Sequence, residues 1–224
     1  GNYRAIAYAM HNIGLTYRVK GEVNEALDYL HQSLQHFVEL GDPFQSTKLH
    51  LELARTFIDR SRLTEAQSHL QAAERLVSQH PNNPHRGYLL VLQGLVARLG
   101  QNLEQSQQYL RQAIASLESV LHSPQLAQAY FEFGLLCNEL NDKSEALGYF
   151  REALRVSRAV ELRHVLVDCI RQIEHLDERQ LMDFLVEDLP LLDHQPGRAY
   201  HDQSLSWHDP RFTAKRWDIT HGPS

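Results

Sequence analysis

The sequence predicts an all-α fold built as a stack of helix–turn–helix units, and three observations carry that prediction. The stretch 130–154 recurs three times upstream at a constant offset of forty residues. Small residues keep register through it as three columns: Gly14, Ala54, Gly94 and Gly134; Ala26, Ala66, Ser106 and Ala146; Ser33, Ala73, Ala113 and Ala153. A large apolar column, Leu30, Leu70, Leu110 and Phe150, runs between them, beside an aromatic column of Tyr29, Tyr109 and Tyr149 in which His69 is the exception. Self-similarity at a fixed period of this length marks a stacked repeat protein. The small columns then have a mechanical meaning. Helices whose axes approach to roughly 8–10 Å have no room for a large side chain at the contact. A glycine inside a helix costs about 1 kcal/mol against alanine, so three glycines in one column indicate that close approach outweighs that cost.

Each unit divides into two amphipathic segments at a polar break, at Lys20-Gly21, Arg60-Ser61, Gly100-Gln101 and Leu140-Asn141. The pattern predicts helices over 3–19 and 22–40, 44–59 and 62–79, 84–99 and 102–121, and 125–139 and 142–160. Gly41-Asp42-Pro43, the run 80–84 (HPNNP) and His122-Ser123-Pro124 supply the stop signals between units. The expected organisation is four regular pairs within 1–161, at about 3–40, 44–79, 84–121 and 125–160, then a degenerate capping pair over 162–193 and an irregular, non-repetitive tail over 194–224. In the degenerate pair the register fails, but Val165, Leu166, Cys169, Ile170 and Ile173 make one apolar face, and Leu181, Phe184 and Leu185 belong to a further helix that Asp177 and Gln180 can cap. The tail holds both tryptophans, Trp207 and Trp217, with Phe212 between them. Disordered segments are poor in such residues, so the tail is expected to dock these three aromatics on the helical array or on another copy of the chain.

The order small residue, aromatic, turn, Ala, Leu/Phe, Ala resembles the tetratricopeptide repeat. In the fourth unit it is carried by Tyr130, Gly134, Ala146, Phe150 and Ala153, and in the first by Gly14, Tyr17, Gly21, Ala26 and Leu30. The family's usual unit is 34 residues, so a period of forty is a long variant, similar to the units of kinesin light chains and of bacterial signalling and transcription regulators. The closing proline is displaced to Pro43, Pro84 and Pro124, read as the first residues of the following helices, where a missing N–H does no harm. The resemblance implies a right-handed α-solenoid whose first helices line a concave groove.

Composition bounds the partners. The net charge is −6; residues 1–193 carry −7 and the tail +1, and neither is basic enough to indicate nucleic acid. No apolar run approaches the ~18 residues that cross a membrane. Cys137 and Cys169 lie on apolar faces of separate helices and read as free thiols of a reducing compartment, which places the protein in the cytoplasm. The chain opens on Gly1, so it reads as part of a longer protein.

No chemistry is spelled out. GxSxG, HExxH, CxxC and glycine-rich phosphate loops are all missing. The repeated column Glu25, Glu65, Gln105 and Glu145 suits helix N-termini better than acid–base work. The tail histidines His194, His201 and His208, with Asp202 and Asp209, would be the metal ligands of a hydrolase, the weakest of three readings, because their spacing matches no metal motif. No catalytic residue, cofactor or metal ligand is therefore assigned.

Carrying the family's groove positions onto this sequence gives Tyr8, His11, Leu15 and Arg18; Lys48, Leu51, Arg55 and Ile58; Tyr88, Val91, Leu95 and Arg98; and Gln128, Phe131, Leu135 and Asn138. Apolar and aromatic anchors beside four cations suit a peptide or protein segment bearing acidic groups; a solvated face with routine Arg and Lys is the open alternative. His11 and Leu15 stand where one subtype needs polar clamp residues, so recognition of a chain-terminal carboxylate is not implied. The expected function is a non-enzymatic protein–protein interaction module, part of a larger bacterial regulator, with self-association through the tail. The alternative is a sensor domain for a regulatory peptide or small ligand.

Overall fold

In the computed structural model, residues 2–119 and 123–176 are described below. The chain divides into two units, Gly1–Leu181 and Met182–Ser224, and all the described residues lie in the first. The second half of the degenerate pair, with Leu181, Phe184 and Leu185, and the tail with Trp207, Phe212 and Trp217, lie outside them.

The described residues form nine α-helices: α1 (Tyr3–Lys20), α2 (Val23–Glu39), α3 (Pro43–Ile58), α4 (Leu63–Gln79), α5 (Arg86–Leu99), α6 (Leu103–Leu117), α7 (Pro124–Glu139), α8 (Lys143–Ala159) and α9 (Arg163–Leu176). α1, α3, α5 and α7 each pack on the even helix that follows, and each even helix packs on the next odd one. The all-α helix–turn–helix solenoid expected from the columns is the observed architecture.

The columns act through direct contact. A Cβ on Gly14 would meet Leu30 at 2.9 Å, one on Gly94 would meet Leu110 at 2.6 Å, and one on Gly134 would meet the Phe150 ring at 2.6 Å. In these three pairs the large residue of the second helix therefore rests on the bare backbone of the first, whereas the second pair has Ala54 at that place. Ala26, Ala66, Ala73, Ala113, Ala146 and Ala153 are fully buried beside these contacts. The two serines in the small columns are buried as well and find backbone acceptors: Ser33 donates to the Ala7 carbonyl at 2.7 Å, and Ser106 to the Gly94 carbonyl at 2.9 Å. A further small column, Ala7, Thr47, Gly87 and Ala127, faces the other end of each pair, where a Cβ on Gly87 would lie 2.5 Å from Leu117.

The turn within each pair is left-handed at one residue: Gly21 (φ 81°), Ser61 (56°), Gln101 (62°) and Asn141 (63°). The N–H after it reaches back five residues, Glu22 to Tyr17, Arg62 to Phe57, Asn102 to Ala97 and Asp142 to Cys137, which closes the first helix as a Schellman turn. Gly100 does not take the left-handed place; its φ is −82° and the strained position falls on Gln101. Helix starts are capped by Asp42, Asn102, Ser123 and Asp142, whose side chains accept from the N–H three residues on.

Pro43 and Pro124 occupy first turns as expected. Pro84 does not, and α5 begins two residues later than expected. Buried Asn83 donates to Thr47 Oγ1 at 2.9 Å and accepts from the His85 N–H at 3.0 Å, which holds Pro84 and His85 in a turn. α6 ends at Leu117, ahead of the expected residue 121. Cys137 and Cys169 are free and buried, and burial pushes both thiols up to about 12.

Two measurements of unfolding free energy in urea check this packing. Gly134→Leu should lose about 1–3 kcal/mol through overpacking against Phe150, whereas Gly148→Ala, whose Cβ meets nothing within 4 Å, should gain about 0.5–1 kcal/mol. Gln101→Gly should gain about 0.5–1 kcal/mol, the relief of left-handed strain less the added freedom of the unfolded glycine.

Candidate functional site

The odd helices touch one another as well as their partners, α3 with α5, α5 with α7 and α7 with α9, so their outer faces are continuous. Where the expected groove residues fall on this face depends on depth. Leu51, Ile58, Val91 and Leu95 are buried, and Leu51, Ile58 and Leu95 belong to one core cluster with Leu70, Leu89 and Leu92. The expectation that these four form an open apolar lining is corrected: they are buried between helices, and the cluster draws Leu70 and Val77 from α4 and Leu89 and Leu92 from α5. His11 is also buried, and burial, with Lys48 and Arg18 nearby, lowers its pKa to about 4.

Arg98 is buried too, and the other ten positions stay accessible. Tyr8 is exposed and meets Phe37 edge-on at 5.0 Å; Leu15, Arg18, Lys48, Arg55, Tyr88, Gln128, Phe131, Leu135 and Asn138 are half-buried. Burial raises Tyr88 to about 12, with Glu52 adding to the shift and Arg55 opposing it. Phe131 lies 5.7 Å from the Phe150 ring.

The arginines are not free cations. Arg18 reaches Glu52 at 3.3 Å and Asp59 at 3.9 Å; Arg98 reaches Glu132 at 2.8 Å and Glu139 at 2.6 Å; Arg55 binds Asp59 at 3.0 Å. The first two clusters are one arrangement used twice: an arginine near the end of an odd helix, a glutamate 34 residues on and a second acid 41 residues on. At the intervening joint the same three positions are Ile58, Leu92 and Leu99. Burial opposes the charge on Arg98, but the attraction and hydrogen bonds of Glu132 and Glu139 hold its pKa above the ordinary value. Gln128 donates to the second oxygen of Glu132 at 2.7 Å.

Beside these clusters lies a cleft of about 220 Å³ lined by Arg18, Glu52, Arg55, Asp59, Tyr88, Gln125 and Gln128, with Leu162 and His164 from the start of α9. The cleft thus joins residues of α1, α3, α5, α7 and α9. Glu52, Asp59, Glu132, Glu139, Gln125 and His164 were not among the expected site residues. The signal for the acids was present: Arg18, Glu52 and Asp59 reappear eighty residues on as Arg98, Glu132 and Glu139.

Truncating one member of the buried pair tests its weight. Arg98→Ala strands Glu132, which is 5% exposed, and should cost about 3–5 kcal/mol. Arg62→Ala, which breaks an exposed pair with Glu65, should cost under about 1 kcal/mol; urea titration separates the two.

The fold and these columns can be set against known proteins. Tetratricopeptide repeat profiles match residues 86–159 and 6–35. No curated protein matches the sequence. Among solved structures, BtubC (BKLC) from P. vanneervenii is 13% identical with a TM-score of 0.65, over 91% of this chain and 88% of that one. A Signal Transduction ATPase with Numerous Domains protein with a tetratricopeptide repeat sensor, from Pyrococcus horikoshii, is 11% identical with a TM-score of 0.64, over 83% of this chain and 30% of that one. A putative kinesin light chain from Podosopora anserina, with nearly identical TPR-like repeats, is 14% identical with a TM-score of 0.57, over 84% of this chain and 97% of that one. The chain spans under a third of the second protein and most of the other two. At these identities the likeness is one of fold. No helix among the described residues is long and apolar enough to cross a membrane. Forty-residue columns, small-on-large helix contacts and both repeat profiles agree that the chain carries tetratricopeptide repeats, matched at residues 6–35 and 86–159.

Proposed function

We propose that the array is a protein-interaction module that takes a segment of a partner protein along the face of its odd helices. The observation that carries this reading is the cleft at Arg18, Arg55, Tyr88 and Gln128, where five helices contribute to one polar, ion-paired surface. Arg55 and Gln128 stand half-buried in its wall with side-chain N–H groups, and a partner's main-chain carbonyls suit such donors. Tyr8, Phe131 and Leu135 provide the apolar anchors. Lys48 has no ion-pair partner among the described residues, so it is the place for an acidic group of the partner; elsewhere the segment meets arginines already balanced by Glu52, Asp59, Glu132 and Glu139.

The alternative, a small-ligand sensor, is favoured by the tetratricopeptide repeat sensor in the Pyrococcus horikoshii protein's name and by the way Leu162 and His164 border the cleft. Size supports the first reading. A cleft of about 220 Å³ falls below the roughly 300–1,000 Å³ typical of small-molecule sites, whereas a chain segment needs only part of itself inside. The array then works without chemistry of its own, as one part of a larger cytoplasmic bacterial regulator; that setting rests on the resemblance of its long repeat to regulator arrays.

Immobilised full chain, with captured proteins identified by mass spectrometry, tests the site. Tyr88→Ala combined with Gln128→Ala should lower capture of a specific partner at least about tenfold, equivalent to ~1.4 kcal/mol, with helicity unchanged. Glu74→Lys on α4, away from the cleft, should leave capture intact. Equal capture by the double variant would sink the assignment.

A further inference from the structure

Three histidines that the groove does not use meet where α2, α3 and α4 join. His50 Nδ1 and His69 Nδ1 are 3.0 Å apart, and the ring centroids are 5.3 Å apart for His50 and His69 and 5.5 Å for His31 and His69. Phe57 stacks on His69 at 5.5 Å with 15° between planes, which fixes that ring. Packing does not call for imidazoles here. Forty residues away in either direction the His50 and His69 positions hold Met10 and Tyr29, or Leu90 and Tyr109, and in the fourth unit they hold Tyr130 and Tyr149 as a stacked pair. The rings are also in the form that binds metals. Burial lowers all three pKa values, His50 and His69 to about 4, so at neutral pH each ring keeps a lone pair.

We propose that His50 and His69, joined by His31, bind a divalent transition-metal ion of the zinc type. Two imidazole nitrogens on a tetrahedral zinc at ~2.0–2.1 Å stand about 3.3 Å apart, with ring centres roughly 5 Å apart. With their Nδ1 atoms 3.0 Å apart and centroids 5.3 Å apart, the two rings point at each other head-on. A shared ion therefore needs the nitrogens to part by a few tenths of an ångström and the rings to turn, His50 the more since Phe57 holds His69, until both lone pairs aim at one point. As the side chains stand, no three ligands surround a single point among the described residues. His31, on the exposed face of α2, supplies the third by turning about its side-chain bonds, and solvent takes the fourth place. In the metal-free pair one Nδ1–H donates to the other Nδ1; binding moves that proton to Nε2 of the same ring, and the neutral rings release none. Nitrogen ligands of this kind select zinc, copper or nickel over magnesium and calcium.

Titration of the chelator-treated full chain with Co²⁺ and then Zn²⁺ at neutral pH provides the test. Wild type should bind one equivalent that His69→Tyr and His31→Gln lose or weaken about tenfold or more, and the Co²⁺ form should show the intense visible bands of tetrahedral nitrogen coordination. His69→Tyr installs the residue that the other three units carry, so the array keeps its helicity; His31→Gln lies on an exposed face and gives the same readout should the first variant unfold. His175→Gln on α9 should bind as wild type does. Histidines of residues 177–224 are common to every variant, so they cancel in the comparison. Identical stoichiometry and affinity in wild type and both variants would leave the three rings as a hydrogen-bonded cluster and overturn the proposal.

Discussion

A side chain seated on bare backbone is the contact on which everything else in this molecule depends. Leu30, Leu110 and Phe150 each occupy the volume that a Cβ at Gly14, Gly94 or Gly134 would claim. Interiors packed like molecular crystals leave no slack for such a clash, so the axis separation within a pair is fixed at one point. The fully buried alanines at Ala26, Ala66 and Ala146 extend that separation along the pair. Once it is set, the left-handed turn has a single workable geometry, and the chain accepts Ser61, Gln101 and Asn141 there in spite of their Cβ atoms. Local strain is tolerated because the packing around it over-determines the turn.

The charged surface is built on the same register. Arg18 and Arg98 extend across to the next odd helix and are met at the same two spacings by acids. A buried ion pair is weak support for stability, since desolvation takes back much of the attraction. Its contribution here is positional: it fixes which donors and acceptors face the cleft, and in what order. The pair Arg98–Glu132 is buried on both sides, whereas Asp59 and Glu139 keep part of their surface in water.

Fold and site were unequally legible in the sequence. Gly14, Ala54, Gly94 and Gly134 could be read because close approach admits so few residue types that a column of them is visible without any structure. Pro84 was misread since the side chain that holds it out of the helix, Asn83, finds its partner at Thr47, 36 residues away. Leu51, Ile58, Val91 and Leu95 were placed on the groove by analogy of position; whether a groove leucine is open or covered depends on neighbours in three helices, which a linear pattern does not record. The carboxylates were overlooked for a different reason. Glu52 and Glu132 recur only at eighty residues, with Leu92 at the position between them, so no forty-residue column marks them. The His31, His50 and His69 cluster escaped because short motifs look within a single helix, and its members come from three.

Alternation between ionic and apolar joints makes the array mechanically uneven. The joints from the first pair to the second and from the third to the fourth are tied by arginine and acid, while at the middle one the same positions are the apolar Ile58, Leu92 and Leu99, and a polar link is the buried Asn83–Thr47 hydrogen bond. Apolar contact is non-directional and lets helices slide, whereas ion pairs with hydrogen bonds resist rotation. Ion pairs therefore brace the two outer joints against rotation, and the middle joint relies chiefly on its apolar packing. Salt screens the water-facing acids of the outer joints, and cooling weakens the apolar packing of the middle one, because hydrophobic attraction weakens as temperature falls. Two ordinary solution variables thus act on different parts of a single repeat array.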